Sequence, residues 1–204
     1  CFGKEGNLYH ISDTVMEKSQ VLSYEDLLRV RYAKGMFGPE GKMYWINKVN
    51  GEPDIRSAVA QGIKKTVYEM IKIPFPLIGV KGIRWMSRDI KKWPRKHGMQ
   101  KAAFYLGQVL RMSEDFGTGG AGFRYIFGEF LRESGEKFNH EGLLEASAMM
   151  GKTANRWREL NYVFARSFKN RSTPEQDYNM FGDMMFEIAG LEEQVYKKLD
   201  KIVI

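Results

Sequence analysis

A helical hydrophobic period constrains the fold of this chain more than any other feature of its sequence. From Asp54 onward, apolar residues recur every three or four positions, as on one face of an amphipathic helix. Pro74 and Pro76 end the first of these segments, and Pro94 ends the second. This pattern predicts a helical bundle. Its helices begin near Asp54, Ile83, Met99, Gly122, His140 and Thr173.

The first quarter of the chain has a different pattern. The stretches NLYHIS and KMYWINKV are predicted strands, the first by its alternation and the second by the breakers before it. Between them LSYEDLLRVRYAKG predicts a helix, because Ser23 and Asp26 resemble a capping box and Gly35 is a suitable stop. We therefore predict a mainly α fold, with a small β-containing piece at residues 1–52 and a helical bundle at 53–204.

Composition excludes several classes of protein. A hydrophobic content of 43% is too high for global disorder. No stretch approaches the roughly 20 apolar residues of a membrane span, and no secretory leader is visible, so we expect no membrane association. A single cysteine excludes an internal disulfide framework and fits a reducing compartment, which predicts a cytoplasmic protein.

Positive charge is concentrated in one segment. Residues 81–101 carry eight Lys and Arg against Asp89 alone, a surplus equal to the net charge of +7, whereas residues 173–204 carry seven acids and three lysines. These segments can attract an anionic partner or face each other. Trp85 and Trp93 among the cations would suit nucleic acid, but their spacing of about two helical turns favours one buried stripe. No nucleic-acid motif surrounds them, so we do not expect nucleic acid to bind.

A glycine motif raises the question of a nucleotide cofactor. Gly117, Gly119 and Gly122 spell G-x-G-x-x-G, the fingerprint of dinucleotide-binding folds. That fingerprint needs a buried strand before it and an acid about 20 residues later, whereas this one follows a helical pattern. Two interpretations remain. The glycines form a tight corner between helices, or the N–H groups beside Arg124 hold an anion or a carboxylate.

Histidine spacing argues against a metal site. His10, His97 and His140 share no helical i, i+3 or i+4 spacing, and no cysteine joins them. We predict no metal and no cofactor, and structural or exposed positions for all three histidines.

Three motifs, in order, resemble one known family. EDFGTGGAGFRYIFGEFLRES resembles the C-terminal helical region of proteins related to the butirosin-biosynthesis H protein, which has a GTGG-x-x-FR corner and an aromatic-rich helix with FL-x-E. The stretch LSYEDLLRVRYAKG, followed by GPEGKMYWI, is similar to that family's linker. The A-x-x-W pattern at Ala154 and Trp157 is similar as well. The resemblance covers the chain from about Leu8 to Phe168.

This resemblance implies an activity and a place in a larger protein. Family members join a papain-like domain to a helical domain, and a cysteine moves an acyl group from a carrier-protein thioester to an amine. The Cys and His of that site lie upstream in the family, and this chain lacks that part. The N-terminal piece would then be the end of the papain-like α+β domain, and Asp13 the triad acid that orients the histidine. The alternative is that Asp13 caps a turn.

Cys1 has two interpretations. After fusion to an upstream domain it is an ordinary strand residue just beyond the catalytic histidine. As a processed N-terminus it would be a nucleophile activated by its own α-amine, in an amide or thioester hydrolase.

The corner is the predicted pocket of the helical domain. Gly119, Gly120, Arg124 and Glu114 are the candidate substrate-binding residues, with Arg124 holding a carboxylate or phosphate. The expected partners are an acyl carrier protein or acyl thioester, an amine acceptor and an upstream catalytic domain or chain, and a homo-oligomer stays open. An alternative function is a non-catalytic helical binding or scaffold module.

Overall fold

The computed structural model describes the chain at residues 1–13, 16–35, 38–45, 47–48, 51–115, 118–169 and 175–202. Its contacts divide the chain into two compact units, residues 1–53 and 54–204.

The first unit contains a three-stranded antiparallel sheet followed by a short helix. Strands β1 (Gly3–Glu5), β2 (Leu8–Ile11) and β3 (Gln20–Ser23) lie in the order β1-β2-β3. Gly3 lies opposite His10, and Leu8 opposite Ser23. Helix α1 (Tyr24–Arg31) follows directly, because the Ser23 hydroxyl accepts a hydrogen bond from the Asp26 N–H. The predicted strand at NLYHIS and the predicted cap of α1 are therefore confirmed.

The second predicted strand is wrong. The described residues of KMYWINKV, 42–45 and 47–48, contain no strand, and Tyr44 and Trp45 are exposed. The third strand is instead QVLS, which comes back beside β2 after a short connection. Closing that short connection costs less chain entropy than bringing a segment 30 residues away to the same edge.

Helices make up the second unit, whose first half contains four. Helix α2 (Ile55–Val67) begins at Asp54, whose carboxylate accepts a hydrogen bond from the Ser57 N–H, and a π-helical turn (Tyr68–Lys72) extends it. Helices α3 (Gly79–Ile90), α4 (Trp93–His97) and α5 (Met99–Glu114) follow. Pro94 does not end a helix as predicted, because it lies in the first turn of α4, where its missing N–H costs nothing.

Three further helices follow among the described residues of this unit. They are α6 (Arg124–Phe138), α7 (Glu141–Phe168) and, as far as it is described, α8 (Glu175–Leu199). The predicted start of α8 at Thr173 and Pro174 lies outside the described residues. Helix α7 packs against α5, α6 and α8, and α8 packs against α3. The mainly α fold with a small β-containing N-terminal piece is thus confirmed. Within the described ranges, none of the helices combines the length and apolar character that a bilayer crossing needs.

The basic and acidic segments of the chain face each other in part. Arg84 of α3 pairs with Glu193 of α8, and Lys91, the residue after α3, pairs with Asp183 of α8, each at 2.5 Å. Hydrogen bonds from Arg84 and then Lys197 lower the pKa of the Glu193 carboxyl. Two of the eight cations of residues 81–101 therefore help to hold this segment against α8.

Other cations of this segment form an exposed stripe. The stripe is defined by the exposed side chains that follow one another along α3 and α4, namely Lys81, Trp85, Arg88, Lys92, Arg95 and Lys96. The single buried stripe predicted for the two tryptophans is wrong, since Trp93 is buried and Trp85 is 42% exposed. The two tryptophans lie on different helices, because α3 ends at Ile90 and Trp93 begins α4, so a helical spacing does not carry from one to the other.

Two glycines of α8 give a matched test of this packing. A Cβ at Gly182 would overlap the Ser87 carbonyl oxygen and the Lys91 side chain, whereas a Cβ at Gly190 would meet nothing within 4 Å. We expect Gly182→Ala to lower the free energy of unfolding by about 1–3 kcal/mol through overpacking against α3. Gly190→Ala should raise it by about 0.5–1 kcal/mol, as alanine does in a helix interior. Urea unfolding measures both, and equal effects would contradict the close α3–α8 contact.

Candidate functional site

The glycine corner lies between α5 and α6 and has an unusual backbone. Five consecutive residues, 119–123, have positive φ angles of 66°, 85°, 49°, 56° and 70°. Three of them are glycines, which adopt this region at little cost, but Ala121 and Phe123 are not, and each costs about 1–2 kcal/mol there. The predicted tight corner with positive φ is confirmed for its described residues, and Gly117 lies outside them.

The carboxylate of Glu114 lies against this corner. Its Oε1 accepts hydrogen bonds from the Ala121 N–H at 3.3 Å and from Asn161 Nδ2 at 2.7 Å. Its Oε2 accepts one from Arg158 Nη2 at 3.3 Å. The anion at the corner is therefore a side chain of the protein itself, and it joins the end of α5 to α7.

Thr118 satisfies a second N–H of the corner. Its buried hydroxyl accepts a hydrogen bond from the Gly120 N–H at 3.2 Å and donates one to the Ser113 carbonyl at 2.7 Å. Two of the N–H groups that were candidates for a substrate anion are thus hydrogen-bonded within the fold.

Arg124 is held by a fully buried carboxylate from α8. Its Nε donates to Glu192 Oε1 at 2.8 Å, and its Nη2 donates to Oε2 at 3.3 Å. Its Nη1 donates to the Gly122 carbonyl at 2.7 Å. Trp157 Nε1 also donates to Glu192 Oε1, at 2.6 Å, and the Arg124 guanidinium lies 5.1 Å from the Trp157 ring centre. Glu192 therefore receives three hydrogen bonds. It occupies the Nε–Nη2 edge of the Arg124 guanidinium, where two parallel N–H groups can bind a carboxylate.

Titration behaviour at this cluster follows from its burial. Burial alone would lower the pKa of Arg124, but the charge of Glu192 and its hydrogen bonds raise it overall. Burial, followed by the negative charge of Glu192, raises the pKa of the Tyr196 hydroxyl, while Arg124 opposes that shift. Arg124 thus stays charged, and Tyr196 stays a neutral hydrogen-bond donor at physiological pH.

Two open spaces flank the corner. The corner pocket has a volume of about 210 Å³ and is lined by Thr66, Met70, Gly122, Phe123, Arg124, Phe127 and Tyr196. The α7 groove is larger, about 680 Å³, and is lined by Tyr125, Asn155, Arg158, Glu159, Tyr162, Val163 and Met184. Arg158 lies over the Tyr125 ring at 5.0 Å and reaches Glu114, so one cation connects the groove to the corner.

The six residues predicted from the sequence fall into two groups. Gly119, Gly120, Arg124 and Glu114 come together at the corner, where Glu114 and Arg124 belong to two neighbouring hydrogen-bonded clusters. That Arg124 binds a substrate anion stays a prediction, and the structure shows that Glu192 is the anion it already binds.

Asp13 and Cys1 lie in the first unit. Asp13 lies two residues after the end of β2, is exposed, and its carbonyl accepts a hydrogen bond from the Met16 N–H at 3.2 Å. The triad role of Asp13 and the capping alternative both stay predictions. The exposed Cys1 thiol donates to the Gly3 carbonyl at 3.5 Å.

Sequence patterns missed Glu192, although one signal was available. The buried stripe of α8 runs through Phe181, Met185, Ile188, Glu192, Val195 and Leu199, all at helical spacing. An acid at a core position of such a stripe needs a buried cationic partner. Across the described ranges, no group of three or more His, Cys, Asp or Glu residues could hold a metal ion.

Comparison with known proteins places the chain in one family. The model of the family described as Domain of unknown function (DUF4872) matches residues 25–199. The chain belongs to this family. No curated protein sequence and no solved structure matches the chain. The matched range includes the corner, Glu114, Arg124 and Glu192, so the site described above lies within the family's domain.

Replacement of Glu114 tests how much the corner depends on its carboxylate. Glu114→Ala leaves the Ala121 N–H and the buried Asn161 amide without their acceptor. We expect the free energy of unfolding to fall by about 2–3 kcal/mol, because buried donors lose their partner. Glu133→Ala, at an exposed acid of α6, is the matched control and should change it by less than about 0.5 kcal/mol. A loss no larger than that of the control would contradict the assigned role.

Proposed function

We propose that this chain is the C-terminal part of a thiol-dependent acyltransferase of the papain-like type, similar to the butirosin-biosynthesis H protein family. The complete enzyme would act in the cytoplasm, in a biosynthetic reaction that moves an acyl group from a carrier thioester to an amine. No cofactor enters this reaction.

The observation that carries the proposal is the β1–β2 hairpin, with Asp13 two residues after the end of β2. In papain-like sites a histidine on one strand is oriented by a polar residue on the next. Here β1 and β2 are antiparallel neighbours joined by the two-residue turn at Gly6 and Asn7, and Asp13 follows β2. Because β1 and β2 are antiparallel, residues that precede β1 lie opposite residues that follow β2. A histidine on an extension of β1 would therefore lie at the same end of the hairpin as Asp13.

The contact between two of the sequence motifs supports the same assignment. The corner that carries the GTGG-x-x-FR motif needs its residue types for physical reasons, since its glycines lie at positive φ and Arg124 binds Glu192. Trp157 of the A-x-x-W motif binds the same Glu192. Two motifs that are distant in the sequence therefore meet in one cluster, which makes their joint occurrence a specific signal.

The proposed chemistry has two steps. The upstream cysteine thiolate attacks the thioester carbonyl, an acyl–sulfur bond forms, and the carrier thiol leaves with the proton of the imidazolium. The amine then attacks the acyl-enzyme, the amide forms, and the cysteine sulfur leaves as the thiolate while the imidazole takes the amine proton. Asp13 holds the imidazole in the required tautomer and stabilises the imidazolium. If water replaces the amine, the same acyl-enzyme gives hydrolysis.

Replacement of Asp13 in the complete enzyme tests this proposal. Asp13→Ala should lower kcat for amide formation by about 10²–10⁴-fold, since the imidazole loses its orienting carboxylate. Glu17→Ala, at a nearby exposed acid, is the matched control and should leave kcat within about twofold. A variant Asp13→Ala with unchanged kcat would exclude the triad role. Cys1→Ala should leave turnover of the complete enzyme unchanged. Amide or thioester hydrolysis by the chain that begins at Cys1, abolished by Cys1→Ala, would favour the hydrolase with an N-terminal nucleophile.

One observation favours a second candidate, a binding or scaffold module. Arg88, Lys92 and Arg95 of the exposed stripe pair with no acid among the described residues, and Trp85 is exposed beside them. Unpaired cations around an exposed indole suit an acidic protein surface, such as that of a carrier protein. This surface would serve the acyltransferase as well, by docking its donor.

Charge reversal on the stripe tests that surface. The double variant Arg88→Glu and Lys92→Glu should weaken binding of an acidic carrier protein by about tenfold or more at low salt. Lys137→Glu and Lys152→Glu, which change the same charge on other helices, are the matched control and should have a smaller effect. Displacement of the carrier by duplex DNA at equal concentration would instead indicate nucleic-acid binding.

A further inference from the structure

The corner pocket contains a hydrogen-bond donor that the fold does not use. Tyr196 lines this pocket and is only 4% exposed, yet its hydroxyl makes no hydrogen bond with any described residue. The hydroxyl oxygen is not among the fully enclosed polar atoms of the described residues, so it faces the open space of the pocket and is available there to a ligand or to water. Its neighbour Arg124 uses three of its five N–H groups, which leaves two for a further acceptor.

Most of the side chains that line the pocket favour contact with an apolar part of a ligand. Besides Tyr196 and Arg124, the side chains that line it are Thr66, Met70, Phe123 and Phe127. The hydroxyl of Thr66 is already bound to the Gly62 carbonyl at 2.9 Å. A volume of about 210 Å³ corresponds to roughly seven water molecules at about 30 Å³ each, which is the size of a short organic chain.

The charges around the pocket select for a neutral head group. The Arg124 charge is balanced by the buried Glu192, and no other residue that lines the pocket is charged. A ligand carboxylate would therefore lose its hydration without finding an unbalanced cation. A neutral carbonyl oxygen loses much less on burial and can accept from both Tyr196 and Arg124.

The backbone at the rim is held in a costly conformation. Phe123 has φ 70° and ψ 0°, and its ring is 56% exposed although it lines the pocket. A non-glycine residue in this conformation persists only where the surrounding structure enforces it, and such residues cluster at binding and catalytic sites. Here the Arg124 hydrogen bond to Gly122 and the Glu114 hydrogen bond to Ala121 enforce it.

We propose that the corner pocket binds a small neutral carbonyl compound, an amide or ester with a short apolar chain, through Tyr196 and Arg124. The apolar chain packs against Met70 and Phe127, and the carbonyl oxygen accepts hydrogen bonds from the Tyr196 hydroxyl and a free Arg124 N–H. This site does not depend on the acyl-transfer proposal, since it requires only residues of the helical unit.

The test uses pentanamide, which has seven non-hydrogen atoms, and its charged analogue pentanoate. The chain is labelled at the methionine methyl groups, and the Met70 signal is assigned by its disappearance in Met70→Leu. We expect pentanamide to shift the Met70 signal saturably and not that of Met150, which lies in the core. Pentanoate should bind at least about tenfold more weakly.

Two tyrosines of α8 give matched variants. Tyr196→Phe should weaken pentanamide binding by about threefold to tenfold, the value of one hydrogen bond, with no loss of fold. Tyr178→Phe makes the same change at another fully buried tyrosine that lines neither of the two spaces beside the corner, and binding should be unchanged. The proposal is overturned if Met70 does not respond, if pentanoate binds as tightly, or if Tyr196→Phe binds as well as the original chain.

Discussion

The buried carboxylate of Glu192 is the constraint on which the helical unit depends. A fully buried charge is stable only with a cation and several hydrogen bonds, and Glu192 receives them from Arg124 and Trp157. These three residues come from the first turn of α6, the middle of α7 and the last third of α8. Because Glu192 must contact both Arg124 and Trp157, it fixes how α6, α7 and α8 lie against one another. Apolar contacts alone would specify this arrangement less precisely.

The conformation of the corner follows from this cluster. Arg124 binds both Glu192 and the Gly122 carbonyl from the start of α6, which the chain enters through five residues at positive φ. Glu114 fixes the other side of the same turn through the Ala121 N–H. A glycine pattern that elsewhere cradles a dinucleotide phosphate here brings two carboxylates of the protein itself to a helix start. The corner pocket lies beside this turn and is lined in part by Gly122, Phe123 and Arg124.

Local patterns predicted a large part of the fold. The caps at Ser23 and Asp54 and the period of α2, α5, α6 and α7 depend on neighbours within one turn, so they could be read from the sequence. The strand predicted for KMYWINKV was wrong because strand pairing depends on which segment of the chain lies beside β2, and QVLS occupies that position. The buried stripe predicted for Trp85 and Trp93 was wrong because α3 ends between them, so the two residues do not share one helical period.

The candidate site was predicted less completely than the fold. Its glycines, Arg124 and Glu114 are visible as a motif, but Glu192, Trp157 and Tyr196 come from helices 33 to 72 residues farther along, and only the packing brings them together. A pattern within one segment shows that Glu192 is out of place in an apolar stripe. It does not show which cation compensates it.

A double-mutant cycle on Arg124 and Glu192 measures directly whether these two residues stabilise the helical unit as a pair. The variants are Arg124→Met, Glu192→Gln and the pair, and urea unfolding gives the free energy of each. Each single change should cost about 3–5 kcal/mol, because it leaves a buried group without its partner, and the pair should cost at least about 2 kcal/mol less than the sum. Costs that add to within about 0.5 kcal/mol would show that the two residues do not stabilise each other, which would contradict the role assigned to Glu192 at the corner.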